Sequence, residues 1–150
     1  MIYNRRIIKM SKSIFIFRRD YRTDDNIGFI ECCKASESVL PVFIFTPEQS
    51  KKRENPYFSD NSFQFLIESL QELSQDLSHG LLMLQEDNVK ALKELKKEYD
   101  FNAIYTNRDY TPYAIDRDEE IRKYCESVDV EFHNEFEDYL LMPMNTFLKA

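Results

Sequence analysis

Five short apolar runs punctuate the chain: "SIFIF" at residues 13 to 17, "VLPVFIF" at 39 to 45, "GLLML" at 80 to 84, "NAIYT" at 102 to 106 and a weaker, alternating "VDVEF" at 128 to 132. All but the last lack clean alternation, which is the pattern of strands covered on both faces, as in a parallel sheet. Between them the apolar period lengthens to that of a helix. Phe63, Leu66, Ile67, Leu70, Leu73 and Leu77 make one stripe, predicting a helix over 62–78 with Asp60 or Asn61 as its cap and Gly80 just past its end. Val89, Leu92, Leu95 and Tyr99 predict a second helix over 87–99. A third is expected from Pro112 to Ser127, with Ile121, Tyr124, Cys125 and Val128 inward, and a fourth from Asp25 to Ala35.

Strands that alternate with helices predict an α/β fold: an open, doubly wound, five-stranded parallel sheet, Rossmann-like, with helices on both faces and right-handed crossovers. Five strands are too few for a TIM barrel. In an open sheet, ligands bind beyond the carboxyl ends of the strands, where the strand order reverses. Strands one and four can flank that point. The polar stretches "RRDYRTDD" after strand one and "TNRDYTPY" after strand four are therefore expected to face one crevice.

Composition narrows the functional classes. The 150 residues suffice for one domain, and the 43% apolar fraction predicts a packed core. Gly28 and Gly80 are the only glycines, which excludes the glycine-rich phosphate loops of P-loop and dinucleotide-binding folds. A net charge of -7 argues against direct DNA binding by this chain alone, and the short basic run Lys51, Lys52 and Arg53 reads as a solvated loop. Cys32, Cys33 and Cys125 are odd in number and lack metal spacing, so a reducing, intracellular setting is expected, with Cys32 and Cys33 core-facing or half-buried rather than a redox pair. No run is long enough for a membrane span. His79, expected in the turn before strand three, and His133, expected just past strand five, have no second ligand at metal spacing. No nucleophile–base pair is legible, so the chain alone is not read as an enzyme.

Taken together, the motifs resemble the photolyase and cryptochrome family. "FIFRRDYRTDDN" resembles its opening strand and the Arg-Arg-Asp turn behind it, and "VLPVFIFTP" its second strand. "FSDNSFQFLIESLQELSQDL" resembles the helix that follows, "AIYTNRDYTPYAIDRDEEI" the segment from strand four, and "LLMP" the stretch leading out of the domain. The resemblance covers residues 13 to 144 and implies the amino-terminal, antenna-chromophore domain. Residues 1–12 read as a basic, poorly ordered leader, 13–146 as the α/β domain and 147–150 as the start of a linker. The family's helical domain, which carries flavin adenine dinucleotide (FAD), has no counterpart in the sequence. The resemblance thus implies half of a split or truncated photolyase that supports light-dependent repair of pyrimidine photoproducts, either by antenna binding or by docking to a separately encoded helical partner.

The resemblance implies an antenna of folate, deazaflavin or flavin mononucleotide (FMN) type, with Arg18, Arg19, Asp20, Arg22, Asn107, Arg108, Asp109 and Tyr110 as candidate cofactor-binding residues. Structural readings stand beside that one. The first four can form ion pairs behind strand one, Asp24, Asp25 and Asn26 can begin a helix, and Asn107 to Asp109 can shape a loop with Tyr110 and Tyr113 packed beneath it. Folate-binding members carry Asn-Glu where this chain has Asn107 and Arg108, and a guanidinium suits a phosphate or carboxylate better than a pterin. A missing partner also predicts an exposed interdomain face around Phe136, Tyr139, Leu140, Leu141, Met142 and Met144, through which a homo-oligomer could form. The same residues could instead fold back on the sheet's own flank. Two alternatives remain open. One is a nucleotide- or small-ligand-binding module of universal-stress type, against which the glycine-free "NRDYTPYA" counts. The other is a nonfunctional fragment.

Overall fold

A computed structural model describes residues 11–136. Its strands are β1 (Lys12–Phe17), β2 (Ser38–Phe45), β3 (Leu82–Gln85), β4 (Ala103–Asn107) and β5 (Glu131–Phe136). Its helices are α1 (Ile27–Ala35), α2 (Pro47–Ser50), α3 (Asp60–Asp76), α4 (Asn88–Tyr99) and α5 (Pro112–Ser127). All four strand pairings are parallel and the order across the sheet is β3-β2-β1-β4-β5, so the expected α/β fold and the adjacency of β1 and β4 are both present.

The continuous apolar runs follow from burial on two faces. In β1, Ile14 and Ile16 face α4 and α5 in one core, with Leu92, Leu95 and Ile121. Phe15 and Phe17, displaced by one residue, face α1 and α3 in the other, with Cys32, Leu70 and Leu73. That second core is aromatic. Phe15 and Phe17 meet edge to face with ring centroids 4.7 Å apart, and Phe43 and Phe45 at 4.8 Å. Each such ring, fully buried, contributes about 1.5–3 kcal/mol. Pro41 lacks an N–H, yet it lies inside β2. It precedes Val42, the first residue that β3 pairs, so the missing donor leaves no gap in that ladder.

Several expectations shift on the structure. Strand five runs from Glu131 to Phe136, not 128 to 132, because the chain must first leave α5. Val128 and Val130 both donate backbone N–H to Cys125 O, at 3.2 and 3.0 Å, and Asp129 turns through a left-handed φ of 54°. Val128 is consequently 36% exposed rather than inward, and His133 lies within the strand rather than past it. Strand three starts at Leu82 because Gly80 holds the turn with φ 75°. Helix α3 begins at Asp60 and is capped by Ser59, whose side chain accepts Ser62 N–H, rather than by Asp60 or Asn61. The vicinal cysteines divide, with Cys32 buried and Cys33 exposed.

Within the leader, Lys12 already belongs to β1 and residues 1–10 lie outside the described residues, as do Tyr139, Leu140, Leu141, Met142, Met144 and the 147–150 linker. Phe136 is half-buried and stacks on Tyr105 at 6.2 Å, against the sheet's own flank. Lys51 pairs with Glu54 and Lys52 with Asp60, both on the surface.

Candidate functional site

The charge-dense turn behind β1 is an internal brace. Asp20 reaches back so that its Oδ1 accepts Arg18 N–H at 2.8 Å, and its Oδ2 accepts from Asn26 Nδ2 at 3.1 Å and from Asn107 Nδ2 at 2.6 Å. Asn26 also caps α1, its Oδ1 accepting Phe29 N–H at 3.0 Å and Asn107 Nδ2–H at 2.8 Å. Asn107, the last residue of β4, accepts Gly28 N–H at 3.0 Å. One step earlier, Thr106 donates its hydroxyl to Ile16 O at 3.0 Å. Asp20, Asn26, Thr106 and Asn107 are buried and mutually satisfied, and they lock the carboxyl ends of β1 and β4 together.

On the other side of β1, Arg18 crosses to α5. Its Nη1 donates to Asp118 Oδ2 at 3.1 Å and its Nη2 lies 2.7 Å from Asp118 Oδ1 in ion-pair contact, without hydrogen-bond alignment. The same carboxylate receives Arg117 Nε–H at 3.2 Å and Asn134 Nδ2–H at 3.3 Å. Two largely buried guanidiniums therefore share one buried carboxylate. Burial, and next the neighbouring Arg117 charge, lower the Arg18 pKa from its ordinary 12.5, against the pull of Asp118 and Asp20.

Between these groups a cavity of about 130 Å³ opens at the carboxyl ends of β1 and β2, beside the loop after β4. Arg18, Arg19, Thr46, Asp109, Tyr113 and Arg117 are among its walls. Among the described residues, three buried side-chain polar atoms lack a hydrogen-bond partner: Thr46 Oγ1, Arg117 Nη2 and Arg18 Nη2. All three belong to residues lining this one cavity. Arg18 Nη2 is nonetheless ion-paired with Asp118, which leaves Thr46 Oγ1 and Arg117 Nη2 as the two of them with neither a hydrogen bond nor an ion pair of their own. Burial pushes the Asp109 carboxyl up. The N–H and hydroxyl of Thr111, with Arg19 and Arg117, outweigh that effect, and its pKa falls below the ordinary 3.8. Burial, then Asp20, pushes the Tyr21 hydroxyl, another wall, up to about 12.

The eight residues singled out from the sequence thus fall into separate places. Arg18, Arg19 and Asp109 line the cavity. Asp20 and Asn107 stand behind it, with both polar ends of the Asn107 amide engaged in the brace. Arg22 pairs with Asp25 on the surface. Arg108 and Tyr110, with Asp109, border a shallower cavity of about 430 Å³ against α5. Tyr110 and Tyr113 are 44% and 54% exposed rather than packed beneath the loop. The sequence reading missed Thr46, Arg117 and Asp118. One signal for the last was available: Asp118 lies on the same stripe of α5 as buried Ala114, Ile121 and Cys125, an unusual place for a carboxylate without a cationic partner.

A parallel sheet whose strand order reverses at β1 and β4, with a polar crevice beside that reversal, defines an open doubly wound α/β domain. The sequence matches the DNA photolyase family model over residues 13–150, and the chain belongs to that family. It is 33% identical over 129 residues to "Cryptochrome-1" of Anopheles gambiae, covering 79% of this chain and 23% of that protein. It is 29% identical over 108 residues to "Deoxyribodipyrimidine photo-lyase" of Synechococcus, covering 72% and 22%. Among solved structures, an archaeal photolyase from Sulfolobus tokodaii, described with two FAD molecules and a novel light-harvesting cofactor, superposes with a TM-score of 0.80 at 41% identity. The match covers 88% of this chain and 30% of that one. A class III photolyase from Agrobacterium tumefaciens has the same fold, with a TM-score of 0.71 at 20% identity. The chain spans about a quarter of the length of these curated relatives. Among the described residues no helix is long and apolar enough to cross a membrane.

Proposed function

We propose that this chain is the antenna-binding half of a light-driven photolyase or cryptochrome, holding an aromatic, anionic chromophore in the crevice beside β1 and β4 and docking to a helical, FAD-bearing partner. The observation that carries this reading is that the unpartnered Thr46 Oγ1 and Arg117 Nη2 and the ion-paired Arg18 guanidinium line one cavity at the sheet's carboxyl edge. Those donors fit the anionic end of a flavin-type chromophore, and the Sulfolobus tokodaii photolyase, described with two FAD molecules and a novel light-harvesting cofactor, supports the flavin class. When bound, the chromophore supplies absorption of near-ultraviolet or blue light and transfer of excitation to the partner's flavin. The protein's share is placement, with a fixed orientation and the exclusion of water. The brace of Asp20, Asn26 and Asn107 holds the crevice's floor rigid for that purpose.

Docking is supported by four large apolar side chains at the same edge of the sheet. Ile27 is 50% exposed, Tyr110 44%, Tyr113 54% and Ile115 57%, all in the loops and first helical turns that follow β1 and β4. The chain, purified and incubated with FAD, FMN, a deazaflavin or a methylated folate, should retain one of them through desalting. Mixed with the helical half of a family member, it should co-elute, quench the antenna fluorescence and raise light-driven repair of a pyrimidine dimer. Retention of none of the four, with no co-elution, overturns the reading.

A further inference from the structure

Among the described residues, the two most exposed large apolar side chains lie close together in the chain, at the amino-terminal end of α3. Tyr57, in the loop before the helix, is 91% exposed, and Phe65 69%. Leu70, Leu73 and Leu77 bury the inner stripe of α3 in the sheet's aromatic core. The outer stripe reads Phe65, Glu68, Glu72 and Asp76, at spacings of three and four, and all four are exposed. Aromatic side chains so presented are the usual anchors of protein interfaces.

Charge is segregated along the same face. The loop at its amino end carries Lys51, Lys52 and Arg53. Lys51 pairs with Glu54, and Lys52 with Asp60 at 2.9 Å, which holds the basic loop against the first turn of α3. Arg53 has no ion-pair partner among the described residues, and neither do Glu72 and Asp76 at the other end. At 1.5 Å of rise per residue, the Lys52–Asp60 contact lies about 8 Å to one side of Phe65, and Glu72 and Asp76 about 10 and 16 Å to the other. A two-fold axis at Phe65 therefore brings the basic end of one face over the acidic end of another. A parallel arrangement would set like charges together, and a partner of a single sign would suit one end only.

We infer that the outer face of α3 is a self-association surface, on which a second copy of this chain docks antiparallel about Phe65. Arg53 of each copy then faces Glu72 and Asp76 of the other. One helix face buries less than a standard interface, so the dimer is weak. The residues proposed to dock the helical partner follow β1 and β4, so this surface stands whether or not that reading holds.

Sedimentation velocity of the full chain at low salt, from about 10 to 500 μM, tests it. The chain should pass from monomer to dimer over that range. Phe65→Ser should weaken the dimer at least about tenfold. Arg53→Glu should weaken it about threefold and Glu72→Lys likewise, and the two combined should restore it, because each new carboxylate then faces a new ammonium. All three positions are exposed, so the urea midpoint of every variant should stay at the parent's, which separates a lost contact from a lost fold. A chain that is monomeric throughout, a dimer indifferent to Phe65→Ser, or a charge swap not restored in combination overturns the inference. Displacement of the dimer by the helical half of a family member assigns the face to that partner and overturns it as well, whereas binding of that half to the intact dimer upholds it.

Discussion

Asn107 Oδ1 accepts the backbone N–H of Gly28 at 3.0 Å, and a Cβ placed on Gly28 would come within 2.3 Å of that same oxygen. The two observations are one constraint. The amino-terminal turn of α1 approaches the end of β4 so closely that only a hydrogen fits on the Gly28 Cα. Asn107 cannot swing aside, because its Nδ2 is bonded to Asp20 and Asn26. An alanine in a helix ordinarily gains up to about 1 kcal/mol over glycine, but overpacking a fixed neighbour costs about 1–3 kcal/mol. Gly28→Ala should therefore lower stability by about 1–2 kcal/mol, read as a fall in the urea midpoint at unchanged slope. A stabilised variant would mean that the brace is loose.

Replacing Asn107 by Asp tests the brace's electrostatics. The new carboxylate would stand in hydrogen-bond reach of the Asp20 carboxylate, which Asn107 Nδ2 now approaches to 2.6 Å. Two carboxylates so placed cannot both ionise, so one folded-state pKa rises. A raised pKa gives stability that is present below the unfolded carboxylate value and lost as pH climbs through the folded one. Asn107→Asp should thus be least destabilised near pH 4 to 5 and increasingly so toward pH 8, relative to the parent at each pH. A pH-independent difference in urea unfolding would count against the close contact.

The layout of the sheet was legible because β1, β2 and β4 are buried on both faces, and double burial writes itself as an uninterrupted run such as "SIFIF". Strand β5 lies at the sheet's edge with no residue fully buried, so its pattern is faint, and the left-handed turn at Asp129 that delays it has no glycine to announce it. The crevice was half legible. Arg18 and Asp109 follow strands and could be assigned to the correct edge. Arg117 sits in "IDRDEE", which reads as the wet side of a helix, and the place of Asp118 on the inward stripe of α5 signals only that some cation must meet it. That cation is Arg18, a hundred residues away, and no local pattern names a partner at that range.

That distant contact is itself measurable. Asp118 is the carboxylate for Arg18 and Arg117 and an acceptor for Asn134. Asp118→Asn keeps the shape but removes the charge, leaving two largely buried guanidiniums uncompensated. Breaking one member of a buried pair costs about 3–5 kcal/mol, and a loss of that order is expected in denaturant unfolding. A change under about 1 kcal/mol would show that the pair is solvated.

Alkaline pH should unfold the domain through its buried thiols. Burial, and next the adjacent Cys33, raises Cys32 from an ordinary 9.0 to about 12. Burial raises Cys125 to about 11, partly offset by Arg122. Both side chains are almost wholly enclosed. The folded pKa lies above the unfolded one, so each thiol's contribution is complete below pH 9 and declines as pH rises toward the folded values. At pH 10 the unfolded chain has ionised its thiols while the folded chain has barely begun, a loss of about 1 kcal/mol per cysteine. Stability measured at pH 7 and pH 10 should fall by about 2–3 kcal/mol, and Cys32→Ala should remove roughly half of that fall. The same burial predicts that a thiol reagent at pH 8 labels exposed Cys33 first. Rapid labelling of Cys32 in the folded chain would show that α1 opens from the sheet far more readily than its packing against Phe15 and Phe17 allows.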